Sequence, residues 1–260
     1  MMRIVLIGAG RLATNLGLAL KDAGHEIAAV YSRTFASAES LATAVGSYAT
    51  DNLSSLPREA DAFIIAVKDD VLSSVIADSV KGREDQLFVH TAGSKPLSLF
   101  SGFAHNYGVF YPMQTFSKER HVSFADIPVF LEASDEISLG RLRSLAVCIT
   151  RSVYVLSSED RKYLHLSAVF ACNFTNHCYA LAASLLEQHG LPFSVMLPLI
   201  DETAHKVHEL HPCDAQTGPA VRYDHSVIAM QRQLLADNPT IQSIYELLSC
   251  SIHEMTLDKN

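Results

Sequence analysis

Residues 4–13 read IVLIGAGRLA, an apolar run that breaks into Gly8-x-Gly10-x-x-Ala13 and continues as a helix-like pattern from Leu12 to Ala23. Few folds accommodate such a stretch. Glycine at position 8 permits a tight turn out of a strand, glycine at 10 lets a pyrophosphate approach the backbone, and the small Ala13 lets the helix pack closely on the strand. The helix opens at Arg11 and Leu12, so its first amides face the place where phosphates sit. The motif is informative only inside a strand–turn–helix context with further βαβ units.

That context is present. Strand-like runs occur at Arg3–Ile7, Ile27–Tyr31, Ala62–Val67, Gln86–His90, Gly108–Phe110, Val129–Glu132 and Val153–Leu156. Helical patterns such as Ala36–Val45 and Val71–Val80 lie between several of them. Nearly all-apolar strands alternating with helices imply a parallel sheet covered on both faces. After Ser157 the texture changes to helical patterns at about 159–189, 194–211, 219–236 and 240–256, with Ser157 and Asp160 as an N-terminal cap. The expectation is an α/β Rossmann-like parallel-sheet domain over residues 1–156, followed by an all-α domain over 157–260.

Composition excludes several classes. A net charge of −8 with no dense basic cluster argues against nucleic acid or an anionic membrane as partner. No apolar run is long enough to span a membrane, and the N-terminus lacks the features of a signal peptide. The five cysteines form no CxxC pair and read as reduced thiols, which predicts a cytoplasmic protein.

The end of the second strand reads Ser32-Arg33-Thr34, without the acidic residue that accepts a hydrogen bond from the ribose of NAD. An arginine between two hydroxyls suits a 2′-phosphate, so NADP is the expected cofactor. The run AVKDD places Val67 and Lys68 where the next strand passes the cofactor, with Asp69 and Asp70 as caps for the following helix. FVHTAGSKP at 88–96 ends another strand, on the nicotinamide side. Small residues at His90-Thr91-Ala92-Gly93-Ser94 would let the ring and a substrate approach the backbone, and the Thr91 and Ser94 hydroxyls could hold polar groups.

The Gly8–Ala13 turn, Ser32–Thr34 and AVKDD resemble the Rossmann domain of the 6-phosphogluconate, β-hydroxyacid, pyrroline-carboxylate and deazaflavin-dependent NADP oxidoreductase superfamily. HTAGS at 90–94, YPMQTFS at 111–117 and TGPAVRYD at 217–224 resemble, more specifically, a bacterial NADP oxidoreductase family that joins this domain to a helical domain of unknown function. Prephenate dehydrogenases pair a Gly-Ser-Val-Lys turn with a His-Pro-Met segment. Gly93-Ser94-Lys95 and Tyr111-Pro112-Met113 are similar to both, but Tyr111 stands where the substrate-contacting histidine would be.

The first long helix carries Lys162, His165, Asn173, Asn176 and His177 on an otherwise apolar background. At about 100° per residue, all but His177 share a stripe. The resemblance implies that such a stripe faces the nicotinamide, which makes His165, Asn173 and Lys162 candidate catalytic groups. Tyr111, Gln114, Thr217 and Arg222 are candidate substrate contacts. His205, His208 and His211 lack zinc-site spacing and read as a polar helix end, so no metal is expected. The sequence thus predicts an NADP-dependent oxidoreductase acting on a small carbonyl, imine or hydroxy acid, with a homodimer formed through the helical domain. A non-catalytic NADP sensor or scaffold and a prephenate-dehydrogenase-like enzyme are the alternatives.

Overall fold

The computed structural model describes residues 1–117 and 120–257. They form two compact units, Met1–Asn173 and Phe174–Asn260.

The first unit is built on eight strands: β1 (Arg3–Ile7), β2 (Glu26–Tyr31), β3 (Tyr48–Thr50), β4 (Ala62–Ile65), β5 (Leu87–His90), β6 (Asn106–Pro112), β7 (Val129–Ala133) and β8 (Val153–Val155). They lie in the order β3-β2-β1-β4-β5-β6-β7-β8. The first six run parallel, as expected. The exception to the parallel pattern is β7, which is antiparallel to β6, while β8 is parallel to β7. Helix α4 (Glu136–Val147) provides the crossover from β7 to the parallel β8.

Ile4, Val5, Leu6 and Ile7 of β1 are all 0 % exposed. Alternate side chains leave opposite faces of a strand. Ile4 and Leu6 therefore join Leu16, Leu20 and Leu41 on one face, and Val5 and Ile7 join Leu72 and Ile76 on the other. These partners come from α1 (Arg11–Asp22) and α2 (Phe35–Val45) on the first face and α3 (Leu72–Val80) on the second. Neither Asp69 nor Asp70 caps α3, contrary to expectation. Val71 occupies the cap position without a side-chain bond, and Asp69 instead accepts the Ser94 hydroxyl.

Helix α5 (Ser158–Ala168) starts as expected. The Ser157 hydroxyl accepts from the Asp160 amide at 3.1 Å and donates to the Asp160 carboxylate at 2.7 Å. The texture changes near residue 157, but the first unit extends to Asn173 because α5 is bonded to β7 and to the loop after β5. The single long α-helix expected over 159–189 is interrupted by a π-helical turn, Val169–Phe174.

The second unit contains α6 (Thr175–Gln188), α7 (Leu197–Glu209), α8 (Pro212–Ala215), α9 (His225–Leu234) and α10 (Pro239–Leu257). It has no strand among the described residues. The helix expected from 219 begins only at His225. Asp224 caps it by accepting from the Val227 amide at 3.2 Å. Just before it, Tyr223 takes the left-handed conformation (φ 49°) and lies over His253, with ring centroids 4.5 Å apart.

Candidate cofactor and active site

The strand order reverses direction at β1, which has β2 on one side and β4 on the other. Ligands of open α/β sheets bind in the crevice at the carboxyl ends of such strands. Gly8 stands there with φ +123°, and a Cβ on it would come within 2.3 Å of the Ala66 carbonyl oxygen, so only glycine closes this turn. A Cβ on Gly10 would meet nothing within 4 Å. The space beside that glycine is therefore open at the start of α1, where no side chain caps the helix. Free helix amides facing open space fit a pyrophosphate.

Arg11 is exposed and Leu12 half-buried at the same helix end. Ser32, Arg33 and Thr34 follow β2 directly, with Arg33 and Thr34 exposed and the Ser32 hydroxyl accepting weakly from the Thr34 amide at 3.4 Å. Beyond β4, Val67 is half-buried and Lys68 exposed. These groups lie together at the carboxyl end of the sheet, with the helix end open and Arg33 exposed.

The segment after β5 is folded around His90. That imidazole is 0 % exposed, so the expected ligand contact is not available to it. Its Nδ1 accepts from the Ala92 amide at 3.2 Å and its Nε2 faces the Pro96 carbonyl at 3.4 Å. Accepting at Nδ1 leaves the proton on Nε2. Burial, and next the positive charge of Arg161, push the His90 pKa down to about 4, so the ring is neutral. Thr91 is buried too, its amide donating to the Ile65 carbonyl at 3.2 Å. Ala92 and Ser94 are half-buried.

Gly93 lies against Tyr111 and His165. A Cβ at this position would lie 2.7 Å from Cζ of Tyr111 and 2.8 Å from Nδ1 of His165. The backbone of the loop is thus pressed against a pair of side chains that are themselves joined, Tyr111 Oη to His165 Nδ1 at 3.1 Å, with the rings edge to face. Tyr111 comes from the end of β6 and is 8 % exposed. Its pKa is raised by burial, against an opposing pull from Arg161, so the phenol stays protonated near neutral pH. His165 comes from α5 and is half-buried.

Both open onto a cavity of about 300 Å³, lined also by Met113, Gln114, Leu164, Cys172 and Asn173. Gln114 follows β6, and its side-chain oxygen accepts from the Thr115 amide at 2.8 Å. The loop beyond it is tied to α1 by Asn15, which donates to the Ser117 carbonyl at 2.9 Å and accepts from the Val122 amide at 3.2 Å.

Of the three groups expected to be catalytic, His165 and Asn173 meet at this cavity. Lys162 does not line it, and its ammonium pairs with Glu159 at 2.8 Å. Asn176, His177, Thr217 and Arg222 belong to the second unit and are exposed there. His205 bonds the Asp201 carbonyl at 2.8 Å, and His211 caps α8.

Sequence reasoning missed Arg161, Glu132 and Ser158. Arg161 is 1 % exposed, and its guanidinium donates to Glu132 and, at 2.7 Å, to the Lys95 carbonyl. The available signal was Glu132 itself, a carboxylate in the otherwise apolar strand VFLEA, which needs a buried partner.

The fold and the glycine turn are those of the Rossmann-type NADP oxidoreductases. Residues 3–93 match the family described as NADP oxidoreductase coenzyme F420-dependent, and residues 127–252 match a domain of unknown function, DUF2520. A provisionally assigned NADP oxidoreductase of Bacteroides fragilis is 54 % identical, with a TM-score of 0.93 over 97 % of this chain and 98 % of that one. The chain belongs to the same family as that protein. At lower identity the fold alone is shared. A Thermotoga maritima protein is 22 % identical, with a TM-score of 0.72 over 98 % of this chain and 99 % of its own. An imine reductase of Myxococcus stipitatus in complex with NADP+ is 17 % identical, with a TM-score of 0.68 over 97 % and 93 %. No curated protein matches the chain by sequence.

Proposed function

We propose that this protein is an NADPH-dependent reductase of a small carbonyl or imine, with Tyr111 and His165 as its proton-delivering pair. The observation that carries the reading is the 3.1 Å contact between the Tyr111 hydroxyl and His165 Nδ1 at the mouth of the cavity. Bound NADPH supplies the hydride. The chain's own residues supply position and the proton. Gly8, Gly10, Arg11 and Leu12 hold the diphosphate, Ser32, Arg33 and Thr34 the 2′-phosphate, and Val67, Lys68, Thr91 and Ala92 the face of the nicotinamide. The Tyr111 phenol, held protonated by burial, gives its proton to the substrate oxygen or nitrogen. As Nε2 of His165 takes up a proton from solvent, Nδ1–H returns one to Tyr111 Oη, so the imidazole ends neutral with its proton on Nε2. Asn173, Gln114 and Ser94 orient the substrate's polar group. Positioned proton transfer of this kind contributes about 10²- to 10⁴-fold in rate.

The same reading extends to assembly. None of the residues of α6, α7, α8 or α9 is buried. Helices stay folded in water by burying an apolar face. A second copy of this chain, covering those faces, forms the proposed homodimer. No helix among the described residues is long and apolar enough to cross a membrane. All five cysteines are free thiols, in keeping with the proposed cytoplasmic location.

The test is NADPH oxidation with a panel of cyclic imines, aldehydes and 2-keto acids. Turnover of at least one carbonyl or imine is expected. NADPH binding without turnover of any member would favour a sensor.

A further inference from the structure

Arg161 is the largest fully buried side chain of the first unit, yet it touches neither the cavity nor any group that reacts. Its contacts run in three directions. One terminal nitrogen donates to Glu132 on β7. The other donates to the Lys95 carbonyl at 2.7 Å and to the Ser158 hydroxyl at 3.2 Å. Ser158 completes the set: its hydroxyl donates to Glu132 at 2.6 Å and accepts from the Leu97 amide at 2.9 Å, while its own amide donates to Glu132 at 2.9 Å. Strand β7, the first turns of α5 and the loop 95–97 are thereby tied at one point.

Two residues before Lys95 stands Gly93, whose backbone presses on both members of the Tyr111–His165 pair. One turn after Arg161 on the same helix stands His165. The guanidinium therefore fixes, from behind, both the loop that backs the pair and the helix that supplies half of it. Its Nε is buried without a hydrogen-bond partner among the described residues. An unpaired buried donor weakens a fold, and buried ion pairs are often no more stabilising than apolar residues of the same size. Stability alone does not explain an arginine here.

Building on the reading of Tyr111 and His165 as the reacting pair, we infer that Arg161 is a positioning residue. Its two-pronged grip on Glu132 and the Lys95 carbonyl holds the loop 93–97 at the distance that keeps Tyr111 and His165 in register. The role belongs to the planar fork and not to the charge, since lysine carries the same charge without the paired donors.

The deciding comparison is Arg161→Lys beside Tyr111→Phe. Lysine can keep the ion pair with Glu132, so the melting temperature should stay close to wild type. NADPH-dependent reduction of 2-methyl-1-pyrroline, used as probe, should lose about 10- to 100-fold in kcat, the scale of a small misplacement of reacting groups, with KM for NADPH changed less than about threefold. In the cofactor-free protein, amide exchange of residues 93–97 should quicken at least tenfold while the strands β1 and β4 keep their protection. The inference is overturned if Arg161→Lys keeps its exchange protection in that loop, a result that needs no substrate. It is also overturned if its turnover stays within twofold of wild type while Tyr111→Phe loses activity. Should Tyr111→Phe turn over the probe normally, the proton-delivery reading fails instead, and the exchange measurement still decides the role of Arg161.

Discussion

Burial holds His90 neutral, with a pKa near 4 against about 6.5 for a free imidazole. The unfolded chain takes up a proton below pH 6.5, while the folded chain does not until about pH 4. The stability carried by His90 is thus fully present above pH 6.5 and is lost as pH falls from there toward 4, by roughly 3 kcal/mol in all. His90→Asn removes the titrating ring but keeps an acceptor for the Ala92 amide. Its urea-unfolding free energy should fall less than that of wild type between pH 7 and pH 4.5, by about 2–3 kcal/mol; identical slopes would contradict the buried neutral imidazole. Sequence reasoning located FVHTAGSKP correctly as a strand end but assigned His90 to the ligand. One sequence does not reveal that Nδ1 and Nε2 are both spent on the loop's own backbone, because those partners, Ala92 and Pro96, depend on how the turn curls.

Between residues and the whole chain, two elements carry the site. The β1–α1 turn was legible, because Gly8 answers a local steric demand and a strand and a helix flank it as the pattern requires. Gly10→Val tests it: the added side chain meets no protein atom, so the fold should survive, but it occupies the space before the helix amides. NADPH binding, followed by quenching or calorimetry, should weaken by at least 100-fold with an unchanged melting temperature in the absence of cofactor. Retained binding would remove the pyrophosphate from this turn. The α5 helix was legible only in part. A uniform α-helix sets residues eight apart about 80° from one another, so His165 and Asn173 would diverge. The π turn from Val169 closes i→i+5 bonds and advances only roughly 80° per residue. Over its four steps to Asn173 the offset is cancelled, and both side chains reach the same cavity. Lys162, about 60° from His165, is left outside. No composition signal announces a π turn, which is why a stripe drawn at constant pitch included Lys162.

At the scale of the whole molecule, the order of the elements followed from alternating strands and helices, and β7 was located as a strand, but its antiparallel direction and the three-residue edge strand β3 left no trace to read. Assembly is the remaining claim. Leu234 and Leu247 are 78 % and 71 % exposed on the second unit's helices. Sedimentation should give twice the chain mass of 28.4 kDa, and Leu234→Glu combined with Leu247→Glu should shift the protein toward monomer. A wild-type monomer at micromolar concentration would contradict the dimer. The central claim is that Tyr111 and His165 deliver the proton while the cofactor is held elsewhere. It is tested most directly by measuring kcat and NADPH affinity together in Tyr111→Phe, with the carbonyl or imine the wild type reduces fastest. The account predicts a fall in kcat of about 10²- to 10⁴-fold with the NADPH dissociation constant within a few-fold of wild type. Turnover that survives the loss of the hydroxyl, or a parallel collapse of NADPH binding, would contradict it.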